Sequence, residues 1–385
     1  MPNPVFSSLP ISIFQHITVL AGKHDAINLG QGFPDQDGPL SLREVAARQL
    51  LEGPNQYPPS KGLAVLRQAV AGHAAQFYGL TYDPEDEVLI TSGGTEAITG
   101  ALMAMAGVGD EVVMIEPTYD SYRPMAEAAG AVVKCVKLEP PNWRLTEEAL
   151  RAAITPKTRV LLINSPHNPA GRVLSREELE GLARAVSGTE IVVICDEVYE
   201  HLVYDGGAHI PLATLPGLRG RCLKIGSAGK IFSLTGWKVG WVMGPRELVS
   251  VVAKAHQFLT FATSPALQLG VAHGLSHAMD YPLALAKRLQ INRDLLAAGL
   301  TRMGFEVHPC EGTYFLTAGI AKLTQEKDFA FCERLIRDAG VAPIPLSAFF
   351  QSGTPDRFVR FAFCKQRDLI EQSLERLERY FAKYS

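Results

Sequence analysis

The chain has 385 residues, 47% of them hydrophobic, enough to bury one large core or two smaller ones. With 37 lysines and arginines against 40 acidic residues, the net charge of −3 gives no bulk attraction to nucleic acid or anionic membrane, so a small anionic ligand must find local positive groups. No apolar run approaches the roughly 18 residues of a membrane span, and Met1 to Ala21 lacks the basic start of a secretory leader; a cytoplasmic protein is expected.

In chain order, the first forty or so residues are rich in Gly and Pro and read as an irregular segment that drapes over a site or joins a smaller unit. Short β-branched runs then alternate with helix-like stretches. Strands are predicted at Glu87–Thr91, Glu111–Glu116, Val132–Leu138, Arg159–Asn164, Glu190–Asp196, Arg221–Gly226 and Val239–Gly244. This alternation predicts a mostly parallel seven-stranded sheet covered on both faces, in one large α/β domain over residues 45–285. Beyond Pro282 the pattern changes to a long helix, Leu283 to Met303. Short strands follow at Glu306–His308, Tyr314–Ala318 and Arg357–Phe363, with helices at Lys327–Ala339 and Arg367–Tyr384. Residues 286–385, with 1–44, are expected to form a smaller α+β domain.

Six cysteines stand singly, without a CxxC pair, and read as reduced, mostly buried thiols. His273 and His277 have helical spacing, but no acidic residue lies between them and no third ligand is near, so no metal is expected.

In open α/β sheets ligands sit beyond the carboxyl ends of the strands. Three such ends carry chemistry: Ser165 to Gly171 with Asn168, Asp196 to Tyr199, and Ser227-Ala228-Gly229-Lys230. Lys230 sits among apolar residues, where desolvation lowers an amine's pKa as a Schiff-base nucleophile requires. Asp196 closes an apolar strand and needs a positive partner; the protonated nitrogen of a pyridine ring would supply one. Capping of the following helix is its blander use. Asn168 and Tyr199 could hydrogen-bond a ring oxygen. A phosphate needs donors at a helix start, and Ser92-Gly93-Gly94-Thr95 after the first predicted strand offers both, with Ser227 and Lys238 flanking Lys230.

The blocks Asn28 to Asp35, Asn55-Gln56-Tyr57, Ser165 to Pro169, Asp196 to His201 and Ser227 to Gly240, running in order from about Ile13 to Lys365, resemble the class I aminotransferases. These have the pyridoxal phosphate-dependent transferase fold type I. The likeness is strongest to bacterial methionine aminotransferases and the kynurenine aminotransferases (glutamine transaminase K). The resemblance implies pyridoxal 5'-phosphate as cofactor, with Lys230 as its attachment point and as the base that moves the substrate proton. It assigns Asp196 to the pyridine nitrogen, Asn168 and Tyr199 to the phenolate oxygen, Tyr119 to stacking on the ring, and Gly94, Thr95, Ser227 and Lys238 to the phosphate. Tyr57 would reach the phosphate of a neighbouring subunit, implying a homodimer with shared sites. Arg360 would clasp the substrate carboxylate through two parallel charge-assisted hydrogen bonds, assisted by Gly32 and Asn168. Its rival Arg357 lies an odd number of positions away, on the opposite face of a strand.

The chain departs from many aminotransferases in having lysine at 238 in place of arginine and glycine at 93 in place of serine. The kynurenine branch shares the lysine. Amino-group transfer from methionine or another large apolar or aromatic amino acid, with glutamine as a further candidate, to a 2-oxo acid is expected, with Ile13, Phe14, Phe258, Phe261 and Phe349 as candidate pocket walls. Two other readings stand beside it. One is a β-lyase acting on cysteine S-conjugates on the same fold. The other is a non-catalytic ligand-sensing module, which a DNA-binding extension would accompany.

Overall fold

The protein is described here by a computed structural model covering residues 1–351 and 354–383. Its centre is a seven-stranded sheet built from Val88–Thr91 (β1), Glu111–Glu116 (β2), Val132–Lys137 (β3), Thr158–Asn164 (β4), Val192–Asp196 (β5), Cys222–Ser227 (β6) and Gly240–Met243 (β7). The spatial order is β1-β7-β6-β5-β4-β2-β3. Every neighbouring pair is parallel except the two that involve β7, which runs against both β1 and β6. This is the sheet expected from the sequence. Strands β1, β2, β6 and β7 are buried along their whole length, as near-continuous apolar runs covered on both faces must be.

A charge is embedded in that interior. Lys224, in the middle of β6, is fully buried, with Nζ 2.7 Å from Glu200 and 3.3 Å from Glu197. Glu197 also binds His209 at 3.0 Å and the Leu212 N–H at 3.0 Å. Breaking such a pair by removing one partner costs about 3–5 kcal/mol. The network fixes the turn that follows Asp196 at the end of β5 and carries Tyr199.

A second sheet of four strands, Glu306–Val307 (β8), Phe315–Gly319 (β9), Ile344–Pro345 (β10) and Phe358–Ala362 (β11), has the order β10-β11-β9-β8 and is antiparallel. The two-residue strand β10 carries too short a pattern to read from sequence. So does the pairing of Ile27–Asn28 with Val341–Ala342, which ties the amino-terminal segment to the carboxyl-terminal part of the chain.

Three expectations need correction. The amino-terminal segment is not irregular throughout, because Ile13–Lys23 forms an eleven-residue helix with Ile17 and Ala21 buried. The long helix does not wait for Pro282: it spans Asp280–Arg302 and takes the proline into its first turn, where no N–H partner is lost. The helix expected over Lys327–Ala339 is α-helical only at Asp328–Arg334 and continues as a π-helical turn over Leu335–Ala339. The last helix spans Arg367–Phe381, and the Tyr384 end of its predicted range lies outside the described residues. All six cysteines are free, five of them buried. Among the described residues no helix is long and apolar enough to cross a membrane.

Candidate active site

The carboxyl ends of β1, β2, β4, β5 and β6 surround a cavity of about 390 Å³. Gly32, Gly94, Thr95, Tyr119, Asn168, Asp196, Tyr199, Ser227, Lys230, Lys238 and Arg360 all line it. Tyr57 does not: it is 84% exposed and packs edge-on against Phe261, ring centroids 5.2 Å apart.

At one end of the cavity, helix Gly93–Met105 starts directly from β1, with Gly94 and Thr95 in its first turn, so free N–H groups and the positive helix terminus face inward. Gly93 has φ +81°, a conformation that suits glycine and would strain a serine. Opposite it, Gly240 starts β7; a Cβ there would lie 2.6–2.9 Å from the Gly93 and Gly94 backbone. Lys238, itself in the left-handed region at φ +53°, sends Nζ to within 3.3 Å of the Cβ position of Gly93. Glycine 93 and lysine 238, the two departures from the wider pattern, thus meet in one place, a cradle suited to an anion.

Asp196 lies deeper. Burial pushes its carboxyl above the usual range, against the hydrogen bonds from the Tyr122 hydroxyl and the Val198 N–H (3.2 Å) that favour the ionised form. A cationic group beside it would restore the balance. Helix capping is not its role, since the residues after it form turns. Tyr122 carried no recognisable signal in the sequence, being one tyrosine of a helix start. Asn168 is aimed by its own N–H, which donates to Asn164 Oδ1 at 2.7 Å.

Lys230 sits in the short helix Ala228–Ile231 after β6. Burial lowers its amine from 10.5 to about 8; Cys364 and Asp196 oppose the shift, while Lys238 and Arg360 add to it. Its Nζ donates a 2.8 Å hydrogen bond to the Tyr314 hydroxyl, which donates in turn to the Gly32 carbonyl at 2.5 Å. Tyr314, just before β9, was likewise not read from the sequence; it looked like an ordinary strand residue.

Arg360 is fully buried and forms no ion pair among the described residues. Its guanidinium donates to Asn168 Oδ1 (2.9 Å) and the Gly30 carbonyl (2.7 Å) and lies 3.9 Å from the Phe315 ring centroid, with Nε unpartnered. Burial lowers it to about 10. An unpaired buried guanidinium facing a cavity calls for an anionic ligand. Arg357 points away and donates to the Thr324 carbonyl. Of the candidate walls, Phe14 lines the cavity. Phe349 stands behind it, 5.9 Å from the Phe14 ring and 5.0 Å from the guanidinium. Ile13 is half-buried in the core without reaching the cavity; Phe258, in the helix Arg246–Leu259, and Phe261, just beyond it, are 86% and 40% exposed and do not line it. Phe33, Ile98 and Phe315 take their place.

Among the described residues, one cluster of metal-ligand type lies outside the cavity. His73, Glu200 and His201 bring ligand atoms within 4.8 Å of one another. Glu200 is held by Lys224, and the two histidines are hydrogen-bonded through Nε2 atoms 2.7 Å apart.

A buried lysine of lowered basicity, a buried carboxylate with no direct ion pair among the described residues, an anion cradle and an unpaired arginine around one cavity suit an enzyme of amino-acid nitrogen chemistry. The family model for aminotransferase class I and II matches residues 24–377. A probable N-succinyldiaminopimelate aminotransferase of Mycobacterium tuberculosis is 45% identical, over 95% of this chain and 95% of its own. The methionine aminotransferase of Escherichia coli is 37% identical over 98% of both. The solved structure of the Mycobacterium tuberculosis N-succinyldiaminopimelate aminotransferase superposes with a TM-score of 0.96 at 44% identity, covering 99% of this chain and all of that one. The chain belongs to the class I and II aminotransferases and is a pyridoxal phosphate-dependent enzyme of fold type I. The residues present fit that cofactor: the buried Asp196, its carboxyl still held above the usual range, suits its ring nitrogen, and the Gly93–Gly94 cradle with Lys238 suits its phosphate.

Proposed function

We propose that this aminotransferase takes its amino group from methionine or another amino acid with a large, mostly apolar or aromatic side chain, glutamine included as a candidate, and passes it to a 2-oxo acid in two half-reactions. The observation that carries the reading is the pairing of the isolated Arg360 guanidinium with walls made by Phe14, Phe33, Ile98 and Phe315. The guanidinium suits an α-carboxylate, and the walls suit an apolar side chain.

Bound pyridoxal 5'-phosphate supplies the carbonyl that accepts the amino group and a ring that draws electrons from the substrate's α-carbon. Lys230 would hold its carbonyl carbon, Asp196 its ring nitrogen, Asn168 and Tyr199 its ring oxygen, and Tyr119 one ring face. Gly94, Thr95, Ser227 and Lys238 would hold the phosphate. With substrate bound, the Lys230 amine would take the proton from the substrate's α-carbon and deliver it to the cofactor's carbonyl carbon; burial that lowers its basicity suits it to that role. Arg360, with the Gly32 backbone and Asn168, fixes the carboxylate, which leaves the side chain facing the apolar walls.

Residues 45–285 would form the cofactor-binding domain and residues 1–44 with 286–385 the smaller one. A homodimer is part of the reading, with Tyr57 contributed across the interface. The exposed Tyr57 ring, packed edge-on against the partly exposed Phe261, supports it, since a contiguous pair of exposed rings suits an interface. N-succinyldiaminopimelate is a second donor candidate, favoured by the 45% identity to a probable aminotransferase of that substrate. Steady-state kinetics over methionine, glutamine, kynurenine, phenylalanine, aspartate and N-succinyldiaminopimelate tests the choice: methionine or phenylalanine should give the highest kcat/KM. Aspartate or N-succinyldiaminopimelate in first place overturns the substrate assignment. Pyruvate and ammonia released from a cysteine S-conjugate without oxo acid would establish a β-lyase activity instead.

A further inference from the structure

Tyr314 has no part in the roles above, yet it makes the hydrogen bond that holds the Lys230 amine. Its backbone is fixed on both sides. The Thr313 N–H donates to the Leu202 carbonyl at 2.9 Å, and the Phe363 N–H to the Tyr314 carbonyl at 3.0 Å. The preceding Thr313 sits in the left-handed region at φ +67°, and its carbonyl accepts a hydrogen bond from Tyr204. The Tyr314 ring is 1% exposed, edge-on to Tyr199 at 5.2 Å and 4.8 Å from Phe315. Its hydroxyl therefore has little freedom.

The hydroxyl proton is committed to the Gly32 carbonyl, so towards Lys230 the oxygen can act only as an acceptor. We propose that Tyr314 is a positioning residue for the lysine amine, anchoring Nζ by one N–H and tying it to the Gly32 segment that faces the substrate carboxylate. An acceptor of this kind favours the charged amine over the neutral one, and so works against the desolvation that otherwise lowers it. It also keeps the amine in one rotamer when nothing is attached to it. The inference rests on Lys230 being the reactive lysine.

The test uses full-length wild type, Tyr314→Phe and Tyr204→Phe. Tyr204→Phe removes a buried tyrosine hydroxyl bonded to the same turn but not to Lys230. In protein freed of cofactor, trace acetylation of Lys230 read by mass spectrometry across pH 6–10 gives the amine's titration midpoint. Tyr314→Phe should lower the midpoint by roughly one pH unit, the size expected for one hydrogen bond to a charged group. In loaded enzyme it should lower kcat about tenfold with KM within twofold, since an ill-placed base affects the proton transfer and not donor binding. Tyr204→Phe should leave the midpoint and the kcat-to-KM split unchanged. A midpoint unmoved in Tyr314→Phe, or moved equally in Tyr204→Phe, overturns the proposal. The labelling depends on the contact alone and not on cofactor attachment, so its failure is distinct from turnover surviving in Lys230→Ala, which would overturn the reading of Lys230 itself.

Discussion

Replacing Arg360 separates substrate recognition from the rest of the site. In the free protein the guanidinium is fully buried and held by two neutral acceptors, Asn168 Oδ1 and the Gly30 carbonyl. A substrate carboxylate would add two charge-assisted hydrogen bonds to this buried guanidinium. Each is worth about 1.5–3 kcal/mol, and loss of one partner of a buried charge pair costs about 2–5 kcal/mol. Arg360→Leu should therefore lower kcat/KM for methionine by roughly 10²–10⁴-fold at 1.4 kcal/mol per decade. Arg360→Lys keeps the charge without the planar fork and should lose about ten- to a hundredfold. The assay compares methionine with its decarboxylated amine, in single turnover against loaded enzyme. The amine has no carboxylate to lose contact with, so its already slow rate should change less than threefold. An equal fall for both substrates, or a loss below tenfold for methionine with Leu at 360, would refute the assignment of Arg360 to the carboxylate.

Three further outcomes follow from the same geometry. Tyr122→Phe removes a buried donor to Asp196, so the carboxyl should rise further and cofactor affinity, measured by titrating stripped protein, should fall about tenfold, the equivalent of roughly 1.4 kcal/mol. Gly240→Ala would place a Cβ 2.6 Å from the Gly93 backbone, and should weaken binding of the cofactor's phosphate more than tenfold while changing the methionine KM little in the fraction that stays loaded. The third concerns pH. Lys230, lowered to about 8 from 10.5, binds fewer protons in the folded than in the unfolded chain between those values, so the melting temperature of cofactor-free protein should receive a contribution that rises with pH across that window. Lys230→Met should remove this contribution, and an identical pH slope in the variant would contradict the buried-amine account.

Much of this site was legible before any coordinates, because its chemistry is placed by strand ends. Asn168, Asp196 and Lys230 each follow an apolar run, and parallel neighbours β4, β5 and β6 must bring those ends together. Strand alternation separated Arg357 from Arg360, and the resemblance chose Arg360; the structure has Arg360 in β11, lining the cavity, and Arg357 just before the strand, bonded to the Thr324 carbonyl. What could not be read were residues whose role depends on distant packing. Tyr122 and Tyr314 lie 74 and 84 positions from the groups they touch, and nothing near them in sequence marks them. Phe258 and Phe261 do not line this cavity for the converse reason: an aromatic run says nothing about where its rings point, and Phe258 stands in the last turn of a helix with Phe261 just beyond it. The short strands at Ile27–Asn28 and Ile344–Pro345 exist through their partners, and two residues carry no periodicity.

The central claim, that Lys230 is the residue joined to the cofactor, is tested most directly by reducing the loaded protein with borohydride and mapping the modified peptide by mass spectrometry. The account predicts one pyridoxyl-phosphate adduct per chain, on the peptide containing Ser227 to Lys230, lost when methionine is added before reduction. An adduct on Lys238, Lys224 or any other lysine would contradict it, and an adduct on Lys230 that methionine does not remove would overturn methionine as the donor.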